Sequence, residues 1–173
     1  MIAVADTGPL LALAKVNALD LLTYLYQQVI TSPTVFTEAV TAGLAQNAPD
    51  ALILDDAFKR GRLQVRIPTL DLLPRPALVH RGEEESIRLA IELAADWLLM
   101  DDLDARHVAQ ENLAAAGVPT SVRGTLGVIV TVYQQKHIAA EQAVDLLNAL
   151  KARPDIWINR SLCDKVIHAV QKS

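Results

Sequence analysis

Short apolar runs of strand length alternate along the chain with longer stretches of helical periodicity, and few folds accommodate that order. Ile2 to Ala5 is apolar and partly β-branched and closes on Asp6-Thr7-Gly8-Pro9. Helix-forming residues follow from Leu10 to Val16, with Pro9 suited to a first turn. A second helical pattern runs through Leu19, Leu22 and Leu25. Val29-Ile30-Thr31 then reads as a strand, Ser32-Pro33 as an N-cap and first-turn pair, and Pro33 to Ala42 as a helix. Asp50 to Lys59 is helical in pattern, Leu63 to Ile67 is strand-like, and the Pro-interrupted stretch from Pro68 to Pro76 is expected to be a loop with freedom to move.

The alternation then resumes. Gly82 to Ala95 carries a helical stripe of Ile87, Ala90, Ile91 and Ala94, and Trp97 to Met100 is a short buried-strand run ending in Asp101-Asp102. Asp104 to Ala116 reads as a helix stopped by Gly117, Val118 to Val122 as a strand, and Gly124 to Gln135 as a helix. Glu141 to Lys151 and Ser161 to Gln171 complete the pattern. Strands separated by helices pair in parallel through crossovers, with helices covering both faces of the sheet. The expectation is one α/β domain over residues 1–173, in which 139–173 is a C-terminal helical extension.

Composition supports a packed core. Apolar residues make up 51% of the chain but aromatic ones only 4%, so Leu, Ala, Val and Ile must build the interior. A chain of 173 residues is long enough to bury roughly 70% of its unfolded surface without disulfides. No apolar run reaches the ~18 uncharged residues of a membrane span, and the start lacks the basic region of a signal peptide, so a cytoplasmic location without membrane contact is expected. The single cysteine, Cys163, reads as a free thiol without a role. A net charge of −4 argues against nucleic-acid binding by bulk electrostatics. Any such contact must be local, with Lys59, Arg60, Arg62, Arg66, Arg75, Arg81, Arg106 and Arg123 as the candidates.

In a parallel sheet, ligands bind beyond the C-terminal strand ends, and acids recur there. Asp6 ends the first strand, Glu38 lies in the helix after the second, Glu83, Glu84 and Glu85 open a later helix, and Asp101 and Asp102 end the strand after it. At about 100° per residue, Glu83 falls near the centre of the apolar stripe, Glu84 further off and Glu85 on the opposite side. Each acid has an ordinary alternative: Asp6 and Asp101-Asp102 as turn or cap residues, the glutamates as first-turn partners of the helix macrodipole, Glu38 as a surface residue. Taken together, acids converging at one sheet edge would repel one another unless cations compensate them, and an all-oxygen ligand set suits Mg²⁺ or Mn²⁺ better than zinc. His80, His107, His137 and His168 are dispersed and show no metal spacing. Asp6-Thr7-Gly8 matches the aspartic-protease triplet, but that chemistry needs two such loops in an all-β frame. A phosphotransfer receiver needs its acidic pair early in the chain, whereas here the pair comes late.

The segments VADTGPLLALAKV, TSPTVFTEAV, GEEESIRLAIELAADWLLMDDLDAR and GTLGVIV, in this order and spacing, resemble the PIN-domain superfamily. Within it they are most similar to the uncharacterised prokaryotic branch related to the toxin ribonucleases of toxin-antitoxin modules. The resemblance implies a three-layer α/β/α fold with a central parallel sheet. It also implies an acidic quartet that binds Mg²⁺ or Mn²⁺ and hydrolyses single-stranded RNA. By this likeness Asp6 and Glu38 match the first two acids, and Glu83 and Asp101, eighteen residues apart, match the third and fourth. The third acid is commonly Asp, so Glu83 is a departure. Glu85 and Asp102 are secondary candidates for direct ligation, and Thr7 for a supporting hydrogen bond. A toxin role with a small antitoxin partner follows only from the likeness, and the alternative is an inactive PIN fold used for binding or regulation. Homodimerisation is implied too, and the chain supports it through apolar helical surface in the Leu10 to Val16 and Leu19 to Leu25 stretches.

Overall fold

The computed structural model describes residues 1–70 and 79–172. Strands β1 (Ile2–Ala5), β2 (Gln28–Thr31), β3 (Leu63–Val65), β4 (Trp97–Leu99) and β5 (Ser121–Arg123) form one sheet in the order β3-β2-β1-β4-β5. All four pairings are parallel. The helices are α1 (Thr7–Lys15), α2 (Leu21–Leu25), α3 (Pro33–Phe36), α4 (Ala42–Ala45), α5 (Pro49–Lys59), α6 (Arg81–Glu92), α7 (Leu103–Ala115), α8 (Thr125–Gln134), α9 (Ala140–Ala152) and α10 (Arg160–Lys172), with a π-helical turn, Thr37–Thr41, joining α3 to α4.

Strand side chains alternate between two apolar layers, as the twofold period of a strand dictates. Ala3, Ala5, Val29, Leu63 and Leu99 meet residues of α1, α2, α5, α8 and α9, including Leu10, Leu13, Leu22, Leu54, Ile129 and Leu147. Val4, Ile30, Leu98 and Met100 point the other way, onto Ile87, Leu89 and Ala90 of α6 and Ala105, Ala109 and Leu113 of α7. The architecture is therefore the three-layer α/β/α sandwich around a central parallel sheet. Among the described residues, no helix is long and apolar enough to cross a membrane. Cys163 is buried, and its thiol donates to the Leu147 carbonyl at 3.3 Å.

Several sequence expectations need correction. The last strand occupies Ser121–Arg123, not Val118 to Val122. The Val118 N–H is taken by Leu113 O at 3.2 Å in closing the helix, Pro119 has no N–H, and the chain rejoins the sheet only where Ser121 N–H reaches Asp96 O at 3.1 Å. The helix from Pro33 does not stop at Ala42 but continues through the π-turn to Ala45. The Leu10 to Val16 and Leu19 to Leu25 stretches leave little apolar surface for a partner, because Leu10, Leu13, Leu19, Leu22 and Leu25 are all in the core. Several cations proposed for nucleic acid are spent locally: Lys59 pairs with Asp55 at 2.5 Å, Arg60 with Asp56 at 2.7 Å, Arg62 with Asp20, and Arg81 with Glu85 at 3.0 Å. Arg123 lies 3.5 Å over the Trp97 ring. Most of the expected loop from Pro68 to Pro76, Arg75 included, lies outside the described residues.

Candidate active site

The strand order reverses direction at β1. From β1 the chain moves outward through β2 to β3, then returns to the other side of β1 for β4 and β5. The crevice between β1 and β4, at their C-terminal ends, is the switch point at which open α/β sheets bind ligands. Asp6 follows β1 and Asp101 follows β4, so two of the predicted acids stand on either side of it. The Asp6 N–H donates to Leu99 O at 3.0 Å and ties the two strand ends together, while Thr31 Oγ1 donates to Ala5 O at 2.9 Å and ties in the end of β2.

Asp6 is 7% exposed and makes no side-chain cap to α1, so capping is not how its carboxylate is used. Its pKa is pushed up from 3.8 to about 7. Burial is the main cause, the Thr7 backbone N–H opposes it, and the negative charges of Glu83, Glu38 and Asp101 add to it. The residue thus feels each of the other three acids singled out in the sequence.

Asp101 is held by Thr125, whose N–H donates to Oδ1 at 2.7 Å and whose hydroxyl donates to Oδ2 at 2.6 Å. Burial raises its pKa, against the opposing pull of Thr125 and of the Arg106 charge. Gly124 is required here for space, because a Cβ at that position would lie 2.8 Å from Asp101 Oδ1. Glu83 stands in the first turn of α6 and accepts the His80 N–H at 2.8 Å. Helix-end hydrogen bonding, the ordinary alternative for this residue, is thus real. Burial nevertheless raises its pKa, with the His80 N–H opposing and Asp102 and Glu38 adding repulsion.

Glu38 is exposed and sits in the π-turn, whose extra residue re-aims side chains relative to the flanking helix. Thr7 Oγ1 donates to Glu38 Oε2 at 2.6 Å, which gives Thr7 the supporting hydrogen bond expected of it. A Cβ on Gly82 would lie 3.2 Å from the same oxygen, so the small residue opening α6 lets Glu38 pass close by.

The secondary candidates separate. Asp102 accepts the Ala105 N–H at 2.9 Å as the N-cap of α7, yet also lines the cleft. Glu85 does not. It is 6% exposed and lies between α6 and α3, accepting from Thr34 N–H at 3.3 Å and Arg81 Nε at 3.0 Å. Burial pushes its carboxyl up, but hydrogen bonds from Thr34, Ser32 and Arg81 outweigh that and hold it below its ordinary value. Helical phase puts Glu85 opposite the apolar stripe, and there α3 covers it, so Glu85 is a buried clamp between the two helices. Glu84, 4% exposed, pairs with Arg88 at 3.7 Å.

The four acids share a cleft of about 990 Å³ with groups that sequence reasoning missed. His80, read as merely dispersed, lines it beside Glu83. The far wall comes from the C-terminal extension, where Pro154 to Arg160 connects α9 to α10 and carries Trp157. Only one sequence signal could have flagged this wall, the short apolar run Ile156-Trp157-Ile158 in an otherwise polar connection.

Among the described residues no three Asp, Glu, His or Cys side chains form a ready-made ligand cluster, since the carboxylates of Glu38, Glu83 and Asp101 are turned onto Thr7, His80 and Thr125. The donor chemistry still fits a hard divalent cation. The candidates are all carboxylates, and burial raises the pKa of three of them, Asp6, Glu83 and Asp101, with repulsion from neighbouring acids adding to the shift at Asp6 and Glu83.

No curated protein matches the chain. Among solved structures it is similar to a PilT N-terminus domain protein from the hyperthermophilic archaeon Sulfolobus solfataricus P2, with 22% identity, a TM-score of 0.48, and coverage of 70% of this chain and 87% of that one. The family model described as DUF3368, PIN domain, matches residues 2–172. With nearly its whole length matched, the chain belongs to this PIN-domain family.

Proposed function

We propose that the protein is a metal-dependent ribonuclease that hydrolyses phosphodiester bonds of single-stranded RNA at the Asp6, Glu38, Glu83 and Asp101 cleft. PIN domains are typically nucleases and generally use divalent metal ions. The observation that carries the reading is Asp6. A carboxylate this buried, with its pKa raised to about 7 and three further acids contributing, is costly unless a cation accompanies it.

Asp6, Glu83 and Asp101 would hold Mg²⁺ or Mn²⁺, with Glu38 completing the set directly or through water. The ion supplies a bound water of lowered pKa and positive charge opposite the scissile phosphate. The protein's own groups do the positioning. Thr125 fixes both oxygens of Asp101, Thr7 orients Glu38, and the His80 N–H steers one oxygen of Glu83. Because Asp6 and Asp101 sit on the ends of hydrogen-bonded strands, their spacing is set by the sheet and not by a loop.

The same chemistry serves a toxin ribonuclease with a small antitoxin partner or a stand-alone enzyme. The test is cleavage of a single-stranded RNA by purified protein in Mg²⁺ or Mn²⁺, in chelator, and with Asp101→Asn. Cleavage that needs metal and falls by at least about 100-fold in the variant supports the reading. A folded wild type that leaves RNA intact with either metal would favour the inactive binding or regulatory module.

A further inference from the structure

We infer that Trp157 is a stacking platform for a nucleobase of the single strand whose backbone enters the acidic cleft. The inference deepens the proposed ribonuclease reading and rests on it for the class of ligand. Trp157 is 98% exposed, the most exposed large apolar side chain among the described residues, and it lines the same cleft as Asp6, Glu38, Glu83 and Asp101. An indole left in water at the mouth of a site forgoes a large burial gain, which a stacked base would restore.

The segment that carries it is held, not free. Ile156 and Ile158 on either side pack against the main core cluster, so Trp157 between them faces away from it. Asp155 fastens the segment to α1, where Lys15 Nζ lies 3.0 Å from Asp155 Oδ2 and donates to the Asp155 carbonyl at 3.1 Å. Arg153 clamps the same carboxylate with Nε and Nη2, each at 2.9 Å, and its Nη1 donates to the Lys15 carbonyl at 3.5 Å. At the other end Asn159 Oδ1 accepts the Leu162 N–H at 3.0 Å and caps α10. An aromatic ring on a braced support loses little freedom when it stacks.

Charge points to a base as the occupant. The cleft walls carry Asp102 and Asp155 as well as the four acids, against Lys15, already committed to Asp155, and Arg160. Four of the basic side chains elsewhere are engaged in local ion pairs. Away from the metal, a strand approaching such walls gains little from its phosphates, so further affinity must come from a contact indifferent to charge, and stacking on an indole is one.

The test compares wild type, Trp157→Ala and Trp157→Phe for cleavage of a single-stranded RNA octamer in Mg²⁺. The same substitutions in an Asp101→Asn background are then measured for binding of that octamer and of a matched abasic ribose-phosphate oligomer. Trp157→Ala should melt like wild type, weaken octamer binding by about tenfold, raise KM more than it lowers kcat, and leave the salt dependence of binding unchanged, while Trp157→Phe keeps most of the affinity. Octamer binding should quench the Trp157 fluorescence, and the abasic oligomer should bind weakly whether or not Trp157 is present. Metal-dependent cleavage with the same Kd and KM in Trp157→Ala, or equal binding of the abasic oligomer, overturns the stacking subsite and leaves the nuclease standing. Trp157-dependent binding without any cleavage does the reverse. RNA that is neither bound nor cleaved overturns both.

Discussion

Neutralising Asp6 should stabilise the metal-free protein while abolishing its activity. In the native state the Asp6 carboxyl holds its proton to about pH 7, whereas in the unfolded chain it loses it near 3.8. The native state therefore binds more protons between about pH 4 and pH 7, and stability falls as pH rises through that window. At about 1.4 kcal/mol per pH unit, the ionised carboxylate costs up to about 4 kcal/mol at pH 8. Asn removes the charge and keeps an oxygen for the Thr7 N–H, but that bond is weaker to a neutral acceptor, so a net gain of about 2 kcal/mol is expected. In a domain of this size that corresponds to a rise in melting temperature of roughly 4–8 °C. The assay is thermal unfolding of wild type and Asp6→Asn, followed by circular dichroism in chelator at pH 8 and at pH 4.5. The variant should melt higher at pH 8, the gap should shrink toward pH 4.5, and excess Mg²⁺ should raise wild type more than the variant, because the ion binds only the native site. An Asp6→Asn protein that melts below wild type at pH 8 in chelator would make Asp6 an ordinary turn residue.

Gly124→Ala places a methyl group 2.8 Å from Asp101 Oδ1, at an unstrained φ of −93°. It should displace that carboxylate and lower cleavage by about 10- to 100-fold in initial-rate assays, at a stability cost of about 1–3 kcal/mol, and an unchanged rate counts against Asp101. Homodimerisation, proposed from family likeness, is read by sedimentation velocity. A dimer at micromolar concentration is expected, and a monomer throughout the high micromolar range removes the idea.

The parallel sheet was legible because five apolar runs are each followed by a helix with its own cap or breaker, such as Ser32-Pro33 and Gly117. Asp6 and Asp101 were legible for the same reason, since a residue that ends a strand has a place in the fold before any contact is known. Glu38 was harder. Its aim depends on a π-turn at Thr37–Thr41, and nothing in a 3.6-residue period signals an extra residue in one turn. The burial of Glu85 was not legible from the apolar stripe, because α6 packs not only on α7 and the sheet but also on α3. Trp157 reaches the cleft only because α9 and α10 fold back over α8, a long-range arrangement that leaves no periodic trace in the sequence.

The central claim is that Asp6 and Asp101, from neighbouring strands, serve one divalent-metal site. Titration of Mn²⁺ into wild type, Asp6→Asn and Asp101→Asn, each shown by circular dichroism to be folded, tests it most directly. Both substitutions are expected to weaken Mn²⁺ binding by at least about tenfold. Unchanged Mn²⁺ affinity in both folded variants would contradict it.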